Sequence, residues 1–367
     1  MASSSPREVA KHARGGSSTS SPRIEVGHAP PSTIDTAMNL PSETDALSDV
    51  LAVRLGDVAR LFERALTNDL AAVNNLTQHV ERYRGKMLRP TLVVTAGIAV
   101  RAHQPADDLV DQRLNTLAAV VEMIHMSTLV HDDVLDEADL RRGGATVNSL
   151  RGNETAVMLG DFLISSAFHL CSGVGEPWLN AALGGMTTQL CAGEILQLSH
   201  RGNLALDDQT YFEIIRRKTG VLAGACCGLA SRLAGAPPEL CELLRLYGEE
   251  LGIAFQIQDD ILDLVGDEQI VGKTLGIDLR KGKLTLPVVI HLSRCASPER
   301  AKSIDAIQRG DVTLLLECVE STGSLQAARA RAMEFVVRAK GRLSVLHPSA
   351  ASQMLLTIAD AALERTS

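Results

Sequence analysis

Aromatic residues are scarce in this chain, with one Trp, three Tyr and six Phe among 367 residues. A core short of rings must be filled by aliphatic side chains, and Leu and Ala, both strong helix formers, favour an all-α protein. An excess of positive charge is also missing. The formal net charge of −8 argues against a nucleic-acid partner, whose phosphates call for a basic surface, but it leaves room for a local anion pocket. The seven cysteines contain no Cys-x-x-Cys spacing and cannot all pair, so they read as free thiols in a reducing cytoplasm. No apolar run approaches the roughly 20 residues of a transmembrane segment. Neither a secretory signal nor a Gly-x-x-x-x-Gly-Lys-Ser/Thr phosphate loop is found.

Residues 1–41 are rich in Ser, Pro, Gly and Ala and have no apolar periodicity, as expected of a disordered tail. Their Ser content with Arg7, Arg14 and Arg23 is compatible with organelle targeting, against which Glu8 and Glu25 count. Residues 42–367 read as one domain. Pro177 is the sole proline between Pro105 and Pro237. Leu51, Leu55, Val58, Phe62 and Leu66 recur at helical spacing. Long helices are expected over Asn115–Leu140, Thr155–Cys171, Asn180–Leu198, Asp207–Ala234 and Pro238–Leu264, with a shorter one at Thr285–Ser293 and several after Pro298. With no alternating strand pattern, the fold class expected is a large all-α bundle.

The chemistry-bearing residues are acids. In His131-Asp132-Asp133-Val134-Leu135-Asp136, Asp132 and Asp136 share one helix face, while Asp133 sits about 100° round. The pattern repeats at Gln258-Asp259-Asp260-Ile261-Leu262-Asp263, inside an otherwise apolar helix. Carboxylates there are costly to desolvate unless a cation compensates them. Hard divalent ions would turn two such clusters into clamps with coordination positions left for phosphate oxygens, the usual mode for Mg²⁺. Cations accompany them: Lys86 and Arg89, Arg141 and Arg142, Lys218, and Lys273. Each alone is an ordinary surface charge; together they suit two diphosphates.

Taken in order, Gly85-Lys86-x-x-Arg89-Pro90, His125, Asp132-Asp133-x-x-Asp136, Arg141-Arg142-Gly143, Gly193-Glu194-x-x-Gln197, Lys218-Thr219, Phe255-Gln256-x-x-Asp259-Asp260-x-x-Asp263, Gly272-Lys273 and Gly282-Lys283-x-Thr285-x-Pro287 resemble the trans-polyprenyl diphosphate synthase family. Met87 departs from it, standing where many members carry a basic residue. The resemblance implies a bundle of the isoprenoid synthase type around a central cavity. It implies that Lys86, Arg89, His125 and Arg142 bind isopentenyl diphosphate, and that Arg141, Lys218, Thr219, Gln256 and Lys273 bind an allylic diphosphate. Asp132, Asp133, Asp136, Asp259, Asp260 and Asp263 would make up the metal motifs, with several Mg²⁺ ions bridging the diphosphate. Asp132, Asp136, Arg141, Lys218, Asp259 and Lys273 would carry the catalysis. The allylic C–O bond would ionise, the double bond of isopentenyl diphosphate would attack, and the proton lost would go to the departing diphosphate. A cytoplasmic homodimer, whose product needs a membrane or carrier, is implied as well.

Product length depends on volume. Ser127 and Thr128, about a turn before Asp132, are small where short-chain members place an aromatic floor. The expectation is a long-chain enzyme, similar to octaprenyl, solanesyl and heptaprenyl diphosphate synthases. Deeper Met123 and Ile124 favour the alternative, a geranylgeranyl or farnesyl diphosphate synthase. A terpene cyclase would not need Gly85–Pro90, and a non-catalytic synthase subunit would be expected to lose one acid cluster. Glu122-x-x-His125 has di-iron spacing, but the other such pair, Glu25-x-x-His28, lies in the tail.

Overall fold

The computed structural model describes residues 43–80, 85–265 and 276–364. The expected tail lies outside these residues, and so does Lys273. Helix α1 (Glu43–Leu66) buries Leu51, Val58, Phe62 and Leu66, the stripe anticipated from their spacing. Two further helices, α2 (Ala71–Val80) and α3 (Leu88–Val100), lead to the long α4 (Asp108–Leu135). Asp107 caps α4 by accepting from the amides of Leu109 and Val110. From Leu117 to Ile124 every α4 residue is buried, so this helix is central.

Helix α4 begins at Asp108, not Asn115, because its first turns are a polar outer stretch without the apolar signal. It ends at Leu135, not Leu140. Beyond it Glu137 takes φ 48°, and Leu140–Arg141 (β1) pairs with Gly144–Ala145 (β2). The two turn residues, Arg142 and Gly143, have φ 49° and 75°, the signs a tight type I′ hairpin requires. This hairpin, unread in the sequence, is the sole sheet among the described residues.

After α5 (Val147–Arg151) come α6 (Asn153–Ser172) and α7 (Pro177–Ser199). Contrary to the sequence expectation, α6 is long and apolar enough to cross a membrane by length and composition. It packs on α4 at Gly160, which meets Ser127 and His131, and buries Leu159 and Leu163, while Val157 and Met158 remain exposed. The helix expected over Asp207–Ala234 is instead α8 (Asp208–Ile215), a five-residue π-helical segment (Arg216–Gly220) and α9 (Val221–Leu233). Helix α10 (Pro238–Val265) packs along α9. Then follow α11 (Ile277–Arg280), α12 (Leu286–Arg294), α13 (Ser297–Arg309), α14 (Val312–Ser321), α15 (Ser324–Arg342) and α16 (Ala350–Ala361). Apolar burial holds this bundle, each fully buried Leu or Ile contributing about 1.5–3 kcal/mol.

Candidate active site

The first acid cluster closes α4. Asp133 points inward, 1% exposed, and its Oδ1 accepts from Arg141 Nε at 2.8 Å. Its main-chain carbonyl accepts from Asn148, so Asp133 anchors the hairpin to the helix end. Asp136 is the C-cap, and its carboxylate accepts from Arg201 Nη2 at 2.8 Å and Lys283 Nζ at 2.7 Å. Burial raises its pKa, but Lys283, Lys281 and Lys218 together bring it below the ordinary carboxylate value. Asp132 faces Lys218 and Lys283. Burial nonetheless pushes its carboxyl up, with Glu194 and Asp136 adding to the effect.

The second cluster lies in the last turns of α10, where the three acids differ. Asp259 is exposed. Asp260 is buried and accepts from Tyr211 Oη at 2.5 Å, Gln256 Nε2 at 3.0 Å and the Leu286 amide at 3.2 Å. Desolvation and the charge of Asp278 push its carboxyl up to about 7, against the pull of those hydrogen bonds. Asp263 accepts from the amides of Ile277 and Asp278, capping α11, and burial with Asp278 raises it to about 6.

The π-helical segment joins the two clusters. Its i→i+5 bonding widens the turn and re-aims side chains, as π segments at functional sites commonly do. Lys218 Nζ donates to Gln197 Oε1 at 2.7 Å and pairs with Glu194, both on α7. Burial, the largest influence on Lys218, lowers its pKa, yet Asp132 and Glu194 raise it overall, so its charge is secure. Thr219 Oγ1 donates to Gln256 Oε1 at 2.9 Å, and Gln256 passes the chain on to Asp260. Gly193 makes this approach possible: a β-carbon there would lie 2.6 Å from Cβ of Arg217. Gly193-Glu194-x-x-Gln197 is therefore a seat for Lys218.

A second cationic group gathers beside α4. His125 is surrounded by Arg89, Arg142 and Arg141, and burial followed by these charges holds its imidazole well below 6.5. It is neutral at neutral pH. Burial also lowers Arg89 and Arg142, while the carboxylate of Glu122, 3% exposed, opposes this at both. Glu122 thus serves as a counter-charge to Arg89 and Arg142. Arg89 Nε is buried without a hydrogen-bond partner, a donor available to an anion. Met87, left-handed at φ 53°, stands at the N-cap of α3, two residues before Arg89. Arg142 packs against Gly85, whose added β-carbon would come within 2.8 Å of its Nη2. Lys86 is exposed at the rim.

Ser127 is 1% exposed, and its hydroxyl donates to the carbonyl of Gly160 on α6 at 2.9 Å. Thr128 is half-buried and bonds its own helix at His125 O, at 2.8 Å. His131, read as a packing or hydrogen-bonding residue, has Nε2 3.2 Å from Val157 O on α6. Three residues escaped the sequence reading of the site: Arg201, Lys281 and the role of Lys283. Charged loop residues look like surface in a sequence, and only the fold reveals that these converge on Asp136.

Among the described residues no three His, Cys, Asp or Glu side chains gather into a metal cage. Magnesium needs none, since it is usually held by one or two carboxylates and completed by phosphate oxygens and water. The donors fit that mode. They are all oxygens, and the desolvated Asp132 carboxylate gains from a cation. The family model for polyprenyl synthetase matches residues 71–321. An octaprenyl diphosphate synthase from Escherichia coli is 33% identical over 88% of this chain and 98% of its own. A short chain isoprenyl diphosphate synthase from Methanothermobacter thermautotrophicus is 34% identical over 79% of this chain and 89% of its own. The crystal structure of a polyprenyl synthase from Caulobacter crescentus, complexed with calcium and isoprenyl diphosphate, superposes with a TM-score of 0.81 at 32% identity, covering 88% of this chain and 98% of that one. With its all-α fold of the isoprenoid synthase type, the chain belongs to the polyprenyl synthetase family and is a transferase of prenyl groups.

Proposed function

We propose that this enzyme is a magnesium-dependent trans-prenyltransferase joining isopentenyl diphosphate head-to-tail to an allylic diphosphate, with a long product of roughly C30 to C50 suited to a quinone side chain. The observation that carries the reading is Lys218, which faces Asp132 and, through the adjoining Thr219 and Gln256, is linked to the second acid cluster. One diphosphate lying there would meet carboxylates and cations at once. Arg141, Lys218, Thr219, Gln256 and Lys273 would hold the allylic diphosphate; Lys86, Arg89, His125 and Arg142 would hold isopentenyl diphosphate. Asp132, Asp136 and Asp259 would ligate the ions, while Asp133, Asp260 and Asp263 would support them from the hydrogen bonds described above.

Bound magnesium would supply stabilisation of charge on the leaving diphosphate. Lys218 and Arg141 would add fixed positive charge where that charge grows, favouring ionisation of the allylic C–O bond. Neutral His125 would donate a hydrogen bond to isopentenyl diphosphate without titrating near neutral pH. The exposed Val157 and Met158 of α6 and Ile195 of α7 support a homodimer interface, and seven free thiols support a cytoplasmic setting.

A second reading, a geranylgeranyl or farnesyl product, is favoured by the close α4–α6 contact at Ser127 and the fully buried Met123 and Ile124. Chromatography of products made from farnesyl and isopentenyl diphosphates, with magnesium and after chelation, tests both. Chains well beyond about C20 support the long-chain reading; a stop near that length sinks it. Turnover that ignores isopentenyl diphosphate would rule out the whole class.

A further inference from the structure

Asp136 faces more positive charge than one carboxylate can balance. Oδ1 accepts from Arg201 at 2.8 Å, and Oδ2 accepts from Lys283 at 2.7 Å with Lys281 3.5 Å away. A divalent ion ligated by the same oxygens would stand at contact range from these cations. Like charges so close repel strongly in a partly buried site. The cations differ in freedom. The Lys283 side chain is 10% exposed, whereas that of Arg201 is 32% exposed on the loop after α7. Arg201 also donates to the carbonyl of Leu135, the last residue of α4, at 3.2 Å. Its loop is pinned next door, where the Gly202 amide donates to Gly282 O at 2.8 Å. The backbone is therefore fixed while the guanidinium can turn.

We propose that Arg201 is a positioning residue that makes metal binding at Asp136 conditional on a diphosphate: its guanidinium holds the carboxylate until diphosphate oxygens arrive to receive it. The inference rests on the reading of Asp136 as a metal ligand given above. A guanidinium matches phosphate oxygens as well as it matches a carboxylate, so the exchange leaves it paired throughout. Metal and diphosphate then bind as a coupled pair, each strengthening the other by the same factor.

The test measures Mn²⁺ binding to the full chain by electron paramagnetic resonance, and inorganic pyrophosphate binding by calorimetry at low and saturating Mg²⁺. The proteins are the wild type, Arg201→Met, Arg201→Lys and Asp136→Asn. Arg201→Met is expected to tighten Mn²⁺ binding without pyrophosphate by about five-fold, and to shrink the Mg²⁺-dependent gain in pyrophosphate affinity by a similar factor. Arg201→Lys restores the wild-type pattern in part, which a purely structural role would not produce. Equal Mn²⁺ affinity in wild type and Arg201→Met overturns the inference and leaves the metal site standing. If Asp136→Asn binds Mn²⁺ as the wild type does, the metal reading of Asp136 fails, and the inference fails with it.

Discussion

The two Asp-Asp-x-x-Asp segments share a sequence pattern, yet the fold uses them differently. At the end of α4 the acids meet cations brought by the hairpin, the π-helical segment and the loops after α7 and α11. At the end of α10, Asp260 and Asp263 meet hydroxyl, amide and main-chain donors. The first segment is thus an electrostatic junction, and much of the second is a structural knot that leaves Asp259 outward. A repeated motif specifies where carboxylates lie on a helix. Their chemistry is decided by what the other helices bring opposite them.

The largest effect that can break this comparison concerns activity. Asp132→Ala combined with Asp259→Ala is expected to lower kcat by about a thousand-fold or more, as loss of charge stabilisation at a reacting diphosphate does. Steady-state assays with unchanged circular dichroism check it, and normal turnover would overturn the metal assignment. Asp260→Ala tests the other half. It would leave the Tyr211 hydroxyl and the Leu286 amide unsatisfied in the interior, costing about 2–4 kcal/mol in urea denaturation. A loss of activity with full stability would make Asp260 a site residue, not a knot.

The pH dependence sharpens the same contrast, since Asp260 and Asp136 shift in opposite directions. Asp260 titrates at about 7 when folded and near 3.8 when unfolded, so the folded state binds the extra proton in between. Stability from this group falls as pH rises through that window, by up to about 1.4 kcal/mol per unit, and Asp260→Asn should flatten the slope. Asp136 is held below 3.8, so its contribution is present at neutral pH and lost on acidification; Asp136→Asn should flatten only the acid limb. Melts from pH 3 to 8 in chelator read both. The smallest expected effect is on product length. Ser127→Phe should shorten the chain while sparing the first condensation, at about 1–3 kcal/mol of overpacking against Gly160. Unchanged product length would remove Ser127 from the determinants.

Much of this was legible in the sequence. The long helices announced themselves by apolar spacing, and Asp132, Asp136 and Asp259 by acids set in apolar helices. The helix break at Arg216 was not, because five residues of π geometry leave the flanking apolar pattern intact. The hairpin depends on a left-handed Arg142, which residue type does not advertise; the adjoining Gly143-Gly144 was the signal available. Nor could spacing separate Asp260 from Asp259, since the choice is made by Tyr211, 49 residues away, and by the start of α12. Arg201 had no local signal at all.

The π-helical segment also constrains how the chain tolerates insertion and deletion. A regular α-helix from Asp208 to Leu233 would be one residue out of phase on one side of Arg216–Gly220. Removing a single residue there would restore regular helical phase and rotate α9 by about 100° against α10. The seat of Lys218 and the interior face of α9 would then be lost together. Length variation is therefore barred from this short interval, although loops nearby can absorb it.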